Sequence, residues 1–104
     1  MVTSNPRVIL SKRAISSNKA IYSYLEAEAS EQTAIKIKES IISKCESLGT
    51  FSGYSKELYL EGFPEDYRSV SVWDYVIIYL VTEKEILVLN IIHGKMHPER
   101  RKDF

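Results

Sequence analysis

Two apolar segments near the C-terminal end constrain the fold of this chain more than any other feature. Residues Tyr75–Val81 are apolar or aromatic at every position, and Ile86–His93 form a second, largely apolar run. Only the polar residues Thr82–Glu85 separate them. Two such runs with a short polar break are typical of a β-hairpin, and a strand without polar alternation is typical of one covered on both faces. We therefore expect this hairpin at the centre of a sheet.

The first half of the chain predicts two helices. Residues 14–29 share one apolar face, and Ser16 or Ser17 is the expected cap of that helix. Ser30 suits the N-cap of the second helix, where Glu31 favours the helix dipole, and Gly49 is a natural stop. The apolar positions of the second helix are Ala34, Ile37, Ile41, Cys45 and Leu48. Almost nothing separates the helices, so we expect an antiparallel hairpin lying on the sheet.

Three further segments have the residue pattern of strands. Arg7–Ser11 is rich in β-branched residues, Lys56–Leu60 has leucines on one side, and Tyr67–Val72 alternates before a tight turn. The predicted fold class is α+β: an N-terminal strand, an antiparallel two-helix hairpin, then a mainly antiparallel four-strand meander in one small twisted sheet. The length of 104 residues suits a single domain over residues 1–104.

Composition limits the kinds of partner and compartment. The chain has 14 basic and 14 acidic residues, so any contact with nucleic acid has to come from a local patch. Cys45 is the sole cysteine; we expect a core residue in a reducing compartment. The first residues lack the features of a signal peptide, and no apolar run approaches the roughly 18 residues that span a bilayer. We expect a cytoplasmic protein with no membrane contact.

Five short motifs follow one another in a characteristic order. They are Val8 to Ala14 (Val-Ile-Leu-Ser-Lys-Arg-Ala), Ile21 to Leu25 (Ile-Tyr-Ser-Tyr-Leu), Tyr67 to Val70, Tyr75 to Tyr79, and Ile91 to Gly94. Taken together, they resemble the RelE/ParE superfamily of bacterial toxins from type II toxin–antitoxin systems. The Ile-x-x-Tyr-Leu segment and the terminal Ile-His-Gly are more similar to the ParE branch than to the RelE branch.

The resemblance implies a function in growth arrest and plasmid stabilisation, with three alternatives for the mechanism. A ParE-like toxin inhibits DNA gyrase by binding, without bond-making chemistry of its own. A RelE-like toxin is an endoribonuclease that cuts messenger RNA on the ribosome. A toxin-like remnant or adaptor only binds a partner. We expect the first, because the motifs are more similar to the ParE branch. Zero net charge also suits a ribosome-binding enzyme least.

The residues expected of a RelE-like ribonuclease are incomplete. RelE-like chains carry an arginine where this chain has Val76, and another where it has Met96 beside Lys95. Cleavage of RNA needs cationic stabilisation of the phosphate and a group that moves a proton. An endoribonuclease built on this chain would therefore have to use a substitute catalytic set, namely Arg68, His93, Lys95 and His97.

The residues expected to bind the target or the antitoxin lie on one strand, at one turn and in the C-terminal segment. They are Arg68, Trp73, His93, Lys95, His97, Arg100 and Arg101. Several have a plainer alternative: Arg68 as a cross-strand ion-pair partner, Trp73 as a lid on the core, and Arg100–Arg101 as a solvated tail. These alternatives remain open from sequence.

We expect neither a metal nor a cofactor. His93 and His97 are four residues apart, a spacing that brings two imidazoles together only on a helix. Gly94 and Pro98 argue against a helix there. The plainer interpretation of His93 is an imidazole at the end of a strand that hydrogen-bonds to the backbone.

The partners implied by the resemblance are proteins. A cognate antitoxin would fold a disordered segment onto the toxin, either as an amphipathic helix against the helical hairpin or as an added strand. DNA gyrase would be the target under the first alternative, and the ribosome with messenger RNA under the second. The sequence leaves open a homodimer or a toxin–antitoxin hetero-oligomer.

Overall fold

The computed structural model describes residues 6–54 and 64–95, and within them two helices cover one four-stranded sheet. This arrangement confirms the predicted α+β class. The predicted strand Lys56–Leu60 lies outside the described residues. The elements are β1 (Arg7–Leu10), α1 (Lys12–Glu28), α2 (Glu31–Ser47), β2 (Tyr67–Val72), β3 (Tyr75–Val81) and β4 (Glu85–His93).

The sheet has the strand order β1-β4-β3-β2, so β3 and β4 occupy its centre as the sequence predicts. The pairs β2–β3 and β3–β4 are antiparallel, whereas β1 pairs with β4 in parallel. The β3–β4 turn is closed by a hydrogen bond of 3.0 Å from the Thr82 N–H to the Glu85 carbonyl. A β-bulge interrupts β4: Ile78 pairs with Asn90 and Tyr79 with Val88, which leaves Leu89 as the extra residue.

Ser11 connects the sheet to α1. Its side-chain oxygen accepts a hydrogen bond of 3.0 Å from the Ala14 N–H, and its hydroxyl donates one of 2.7 Å to the Leu89 carbonyl. The first bond caps α1 and the second fixes the cap to the bulge of β4. The sequence-based choice of Ser16 or Ser17 as the cap is therefore wrong. Ser17 lies within the helix, where its hydroxyl donates to the Asn90 side-chain oxygen at 2.7 Å.

The second helix begins and ends near the predicted residues. The Ser30 side chain accepts from the Thr33 N–H at 3.1 Å, and Glu31 lies in the first turn. The helix ends at Ser47, and the chain then passes close to β1 at Gly49. A Cβ at Gly49 would lie 3.2 Å from the Pro6 carbonyl oxygen, so glycine permits this close approach of the backbone.

The core lies on both faces of β3. Ile77 and Tyr79 pack with Ile41, Cys45 and Leu48 of the helical side, and all five residues are fully or almost fully buried. On the other face Ile78 is completely buried in a cluster with Val76 and Ile92. The expectation of a doubly covered strand is thus confirmed.

Cys45 is a buried residue, as its position on the apolar stripe predicts. Burial raises the pKa of its thiol to about 11, so the thiol is protonated and poorly nucleophilic near neutral pH. In the part of the chain that the structure describes, neither helix has the length and apolar character needed to cross a bilayer.

Ile78→Asp tests the covered strand. The substitution places a carboxylate at a completely buried position, so we expect it to lower the free energy of unfolding by more than about 4 kcal/mol and to leave the domain unfolded at room temperature. Ser71→Asp on the exposed part of the adjacent strand is the matched control and should change it by less than about 0.5 kcal/mol. Circular dichroism without denaturant shows whether Ile78→Asp is folded, and urea unfolding measures the change for Ser71→Asp. A folded Ile78→Asp protein would contradict the double burial of β3.

Candidate partner-binding surface

Several of the predicted binding residues meet at the end of the sheet where β2 turns into β3. Tyr75 is paired in register with His93, and the Gly94 N–H donates a hydrogen bond of 2.7 Å to the Asp74 carbonyl. The C-terminal end of β4 is thereby fixed beside the β2–β3 turn. We call this the turn-end surface; it comprises Trp73, Asp74, Tyr75, His93 and Lys95, which line a groove of about 160 Å³.

Trp73 projects from this surface. Its backbone has φ 55°, in the left-handed region, and 54% of the residue is exposed. The Lys36 ammonium of α2 lies 5.2 Å from the centre of the indole, within the range of a cation–π contact. The exposed position argues against a lid on the core, and a contact of Trp73 with a partner stays a prediction.

His93 is held by its own surroundings. Its ring packs edge-on against Tyr75 with the ring centres 5.5 Å apart, and its Nδ1 accepts a hydrogen bond of 3.1 Å from the Lys95 N–H. This is the backbone bond anticipated from the sequence. Since Nδ1 is occupied, Nε2 is the nitrogen that remains for a contact with another molecule.

Two residues of the helical hairpin join the same end of the fold. Tyr24 of α1 is 62% exposed and lies near Tyr75. Burial raises the pKa of the Tyr75 phenol, and the neighbouring Tyr24 and Asp74 raise it further. Lys36 of α2 reaches Trp73 as described above. The sequence pattern does not connect Lys36 with Trp73. No local signal connects residues so far apart in the chain.

Arg68 belongs to a different part of the structure. It is paired in register with Tyr79, four residues along β3 from the Tyr75–His93 pair, or about 13 Å along the strand. Its guanidinium donates to the Asp66 carboxylate at 3.0 Å and to the Tyr54 carbonyl at 2.6 Å. The structure therefore brings His93 and Lys95 together but leaves Arg68 away from them.

Arg68 and Tyr79 hold the segment after α2 against the sheet. The Tyr79 hydroxyl donates to the Ser52 carbonyl at 2.7 Å, next to the bond that Arg68 makes with Tyr54. Both contacts satisfy backbone carbonyls of an otherwise irregular segment. The remaining predicted residues, His97, Arg100 and Arg101, lie outside the described residues, so their placement in a site stays a prediction.

The turn-end surface, together with Tyr24 and Lys36 beside it, has groups that suit binding. Within the described ranges, the indole of Trp73 and the exposed ring of Tyr24 offer apolar area, and Lys36, Lys95 and the imidazole of His93 offer donors. Exposed aromatic residues with a polar rim are typical of a protein–protein contact. Residues 6–54 and 64–95 contain no cluster of three or more side chains of the metal-binding types.

Comparison with known proteins gives a family and a related structure. A family model described as "ParE toxin of type II toxin-antitoxin system, parDE" matches residues 8–98. A solved structure titled "Chromosomal ParDE TA system from P. aeruginosa" is similar with a TM-score of 0.74 and 19% sequence identity, over 88% of this chain and 98% of that chain. At this identity the likeness shows a common fold. No curated protein matches the chain significantly.

Tyr79→Phe tests the anchoring of the segment after α2. At pH 7 we expect the free energy of unfolding to fall by about 1 kcal/mol, because the Ser52 carbonyl loses its donor. Burial raises the pKa of Tyr79 from 10.0 to about 12, so the buried phenol stabilises the fold fully below about pH 10 and loses this contribution as the pH rises through about 12. The Tyr79→Phe protein has no phenol at this position, so it should not show this part of the fall in the free energy of unfolding at alkaline pH.

Denaturant unfolding at a series of pH values between 7 and about 12 measures the difference between the two proteins. Taking the difference cancels the titration of Cys45, which both proteins share. Tyr24→Phe on an exposed ring is the matched control and should leave the free energy of unfolding at pH 7 unchanged. Parallel pH curves for wild type and Tyr79→Phe would rule out the assigned role of the buried phenol.

Proposed function

This chain belongs to the ParE toxin family of type II toxin–antitoxin systems, and we propose that it arrests growth by binding DNA gyrase and holding it in its DNA-cleaved state. The observation that carries the proposal is the family match, which extends over residues 8–98 and therefore over every described element except the first residue of β1. The family match shows a ParE-like toxin, and gyrase as its target is what we propose.

The action we propose is binding without catalysis by the toxin. The turn-end surface supports it with an exposed indole, an imidazole and ammonium groups, while Arg68 is engaged by Asp66 and Tyr54 at the other end of β2. A ribonuclease would need Arg68 near His93 and Lys95. We propose that the segment after β4, with His97, Arg100 and Arg101, extends the contact with the target.

The family implies an antitoxin as the second partner. We propose that a segment of this antitoxin, disordered when free, folds onto the toxin and blocks its contact with the target. The helical hairpin offers a shallow concavity on α2 for such a segment, lined by residues that include Ile35 and Ser40. A hetero-oligomer with the antitoxin follows from this proposal.

A cleavage assay with purified components tests the target. Toxin, gyrase, ATP and supercoiled plasmid should yield linear DNA after denaturation of the protein, in proportion to the toxin added. Translating ribosomes with the same amount of toxin should yield intact messenger RNA. Efficient cleavage of messenger RNA with no linear plasmid would refute the proposal and favour the RelE-like alternative.

Removal of residues 95–104 tests the C-terminal segment. We expect the shortened protein to lose inhibition of gyrase while its free energy of unfolding changes by less than about 1 kcal/mol, because Ile91 and Ile92 of β4 remain in the core. A full-length variant carrying both Arg100→Gln and Arg101→Gln shows how much of the loss comes from charge. Full inhibition by the shortened protein would remove this segment from the contact.

A further inference from the structure

We propose that Trp73 is the residue by which this toxin anchors itself to gyrase, inserting its indole into an apolar pocket with an acidic rim on the target. The inference rests on the proposed function and adds the contact residue and the chemistry of its counterpart.

Trp73 has a backbone conformation that glycine adopts more easily than tryptophan does. With φ 55° it is the one described residue other than glycine that has a positive φ. Bulky side chains rarely adopt this region, which glycine enters without steric cost. Residues with a strained backbone cluster at functional sites. A tryptophan at a position that suits glycine therefore indicates that the side chain itself has a function.

The fold makes limited use of the indole. Trp73 is 54% exposed, whereas its neighbours Val72 and Tyr75 are 8% and 7% exposed and belong to the core cluster. The described contact of the ring is with the Lys36 ammonium, 5.2 Å from its centre. A cation–π contact at the surface adds little stability but favours one orientation of the ring, which lowers the entropic cost of binding.

The surroundings of Trp73 complete a contact surface. The groove beside it continues to His93 and Lys95, and the exposed ring of Tyr24 lies at the same end of the fold. Tryptophan is one of the residue types enriched among those that dominate the energy of a protein–protein contact. The anchor and its rim are therefore contiguous.

Charge indicates the chemistry of the counterpart and its source. Lys95 lines the groove and begins the segment 95–104, which has four basic residues (Lys95, Arg100, Arg101, Lys102) against Glu99 and Asp103, a net charge of +2. An acidic protein surface complements this segment. We propose above that this segment contacts gyrase. Because Lys95 belongs both to the segment and to the groove beside Trp73, we assign the contact of Trp73 to gyrase as well.

Trp73→Gly is the decisive variant, because glycine fits the observed φ better than tryptophan does. We expect its thermal midpoint to stay within about 3 °C of the wild type or to rise, while about 30-fold more protein is needed for the same yield of linear plasmid. A merely structural tryptophan would show the opposite: lower stability with activity in proportion to the folded fraction.

Phe51→Ala is the matched control. Phe51 is 56% exposed, as large a fraction as for Trp73, but it lies in the segment held near Tyr54, at the other end of the fold. We expect this variant to inhibit gyrase like the wild type. Equal losses in Phe51→Ala and Trp73→Gly would overturn the inference, since the effect would then follow exposed aromatic area in general.

The remaining outcomes distinguish a failure of Trp73 as the anchor from a failure of gyrase as the target. Full activity of Trp73→Gly on gyrase overturns the inference and leaves the proposed function intact. Failure of the wild type in the plasmid assay overturns the proposed function, and the inference with it. If both Trp73→Gly and Trp73→Asn, which also tolerates a positive φ, fail to fold, the indole is structural and the inference is wrong. Loss of antitoxin binding with retained gyrase inhibition overturns it too.

Discussion

The burial of β3 on both faces is the constraint on which the rest of the structure depends. Ile77 and Ile78 are adjacent in sequence and point to opposite faces, yet both are completely buried. The helical hairpin provides one covering layer, with Ile41 and Leu48 among its contributors. Because both faces of this strand are buried, β3 itself carries no charged side chain.

The two ends of β3 consequently serve different purposes. At the end near Tyr79, hydrogen bonds from the Tyr79 hydroxyl and the Arg68 guanidinium are used to fasten the segment after α2. At the end near Tyr75, the side chains of Trp73 and His93 extend into solvent. The guanidinium of Arg68 and the hydroxyl of Tyr79 already donate to carbonyls of their own chain, so fewer donors are available to a partner at that end. The turn-end surface is therefore the better place for binding.

Sequence patterns predicted the elements whose signals are local. The unbroken apolar run of β3 and the cap at Ser30 each depend on neighbouring residues, and the structure has both. The cap of α1 was missed because Ser11 owes its position to the Leu89 carbonyl, 78 residues away. The same limit applies to the bulge at Leu89, since the register of a strand depends on its partner.

The sequence by itself determined the α+β class and the central place of the β3–β4 hairpin, because hydrophobic period and turn chemistry are written into short stretches of chain. It also pointed to the family, through the resemblance that the five short motifs carry. Tertiary structure decided which candidate residues act together. It placed Arg68 beside Asp66 and Tyr54, far along the sheet from His93, and it brought Lys36 of a helix to the indole of Trp73. Contacts of this kind depend on how helix and sheet pack, which no local pattern specifies.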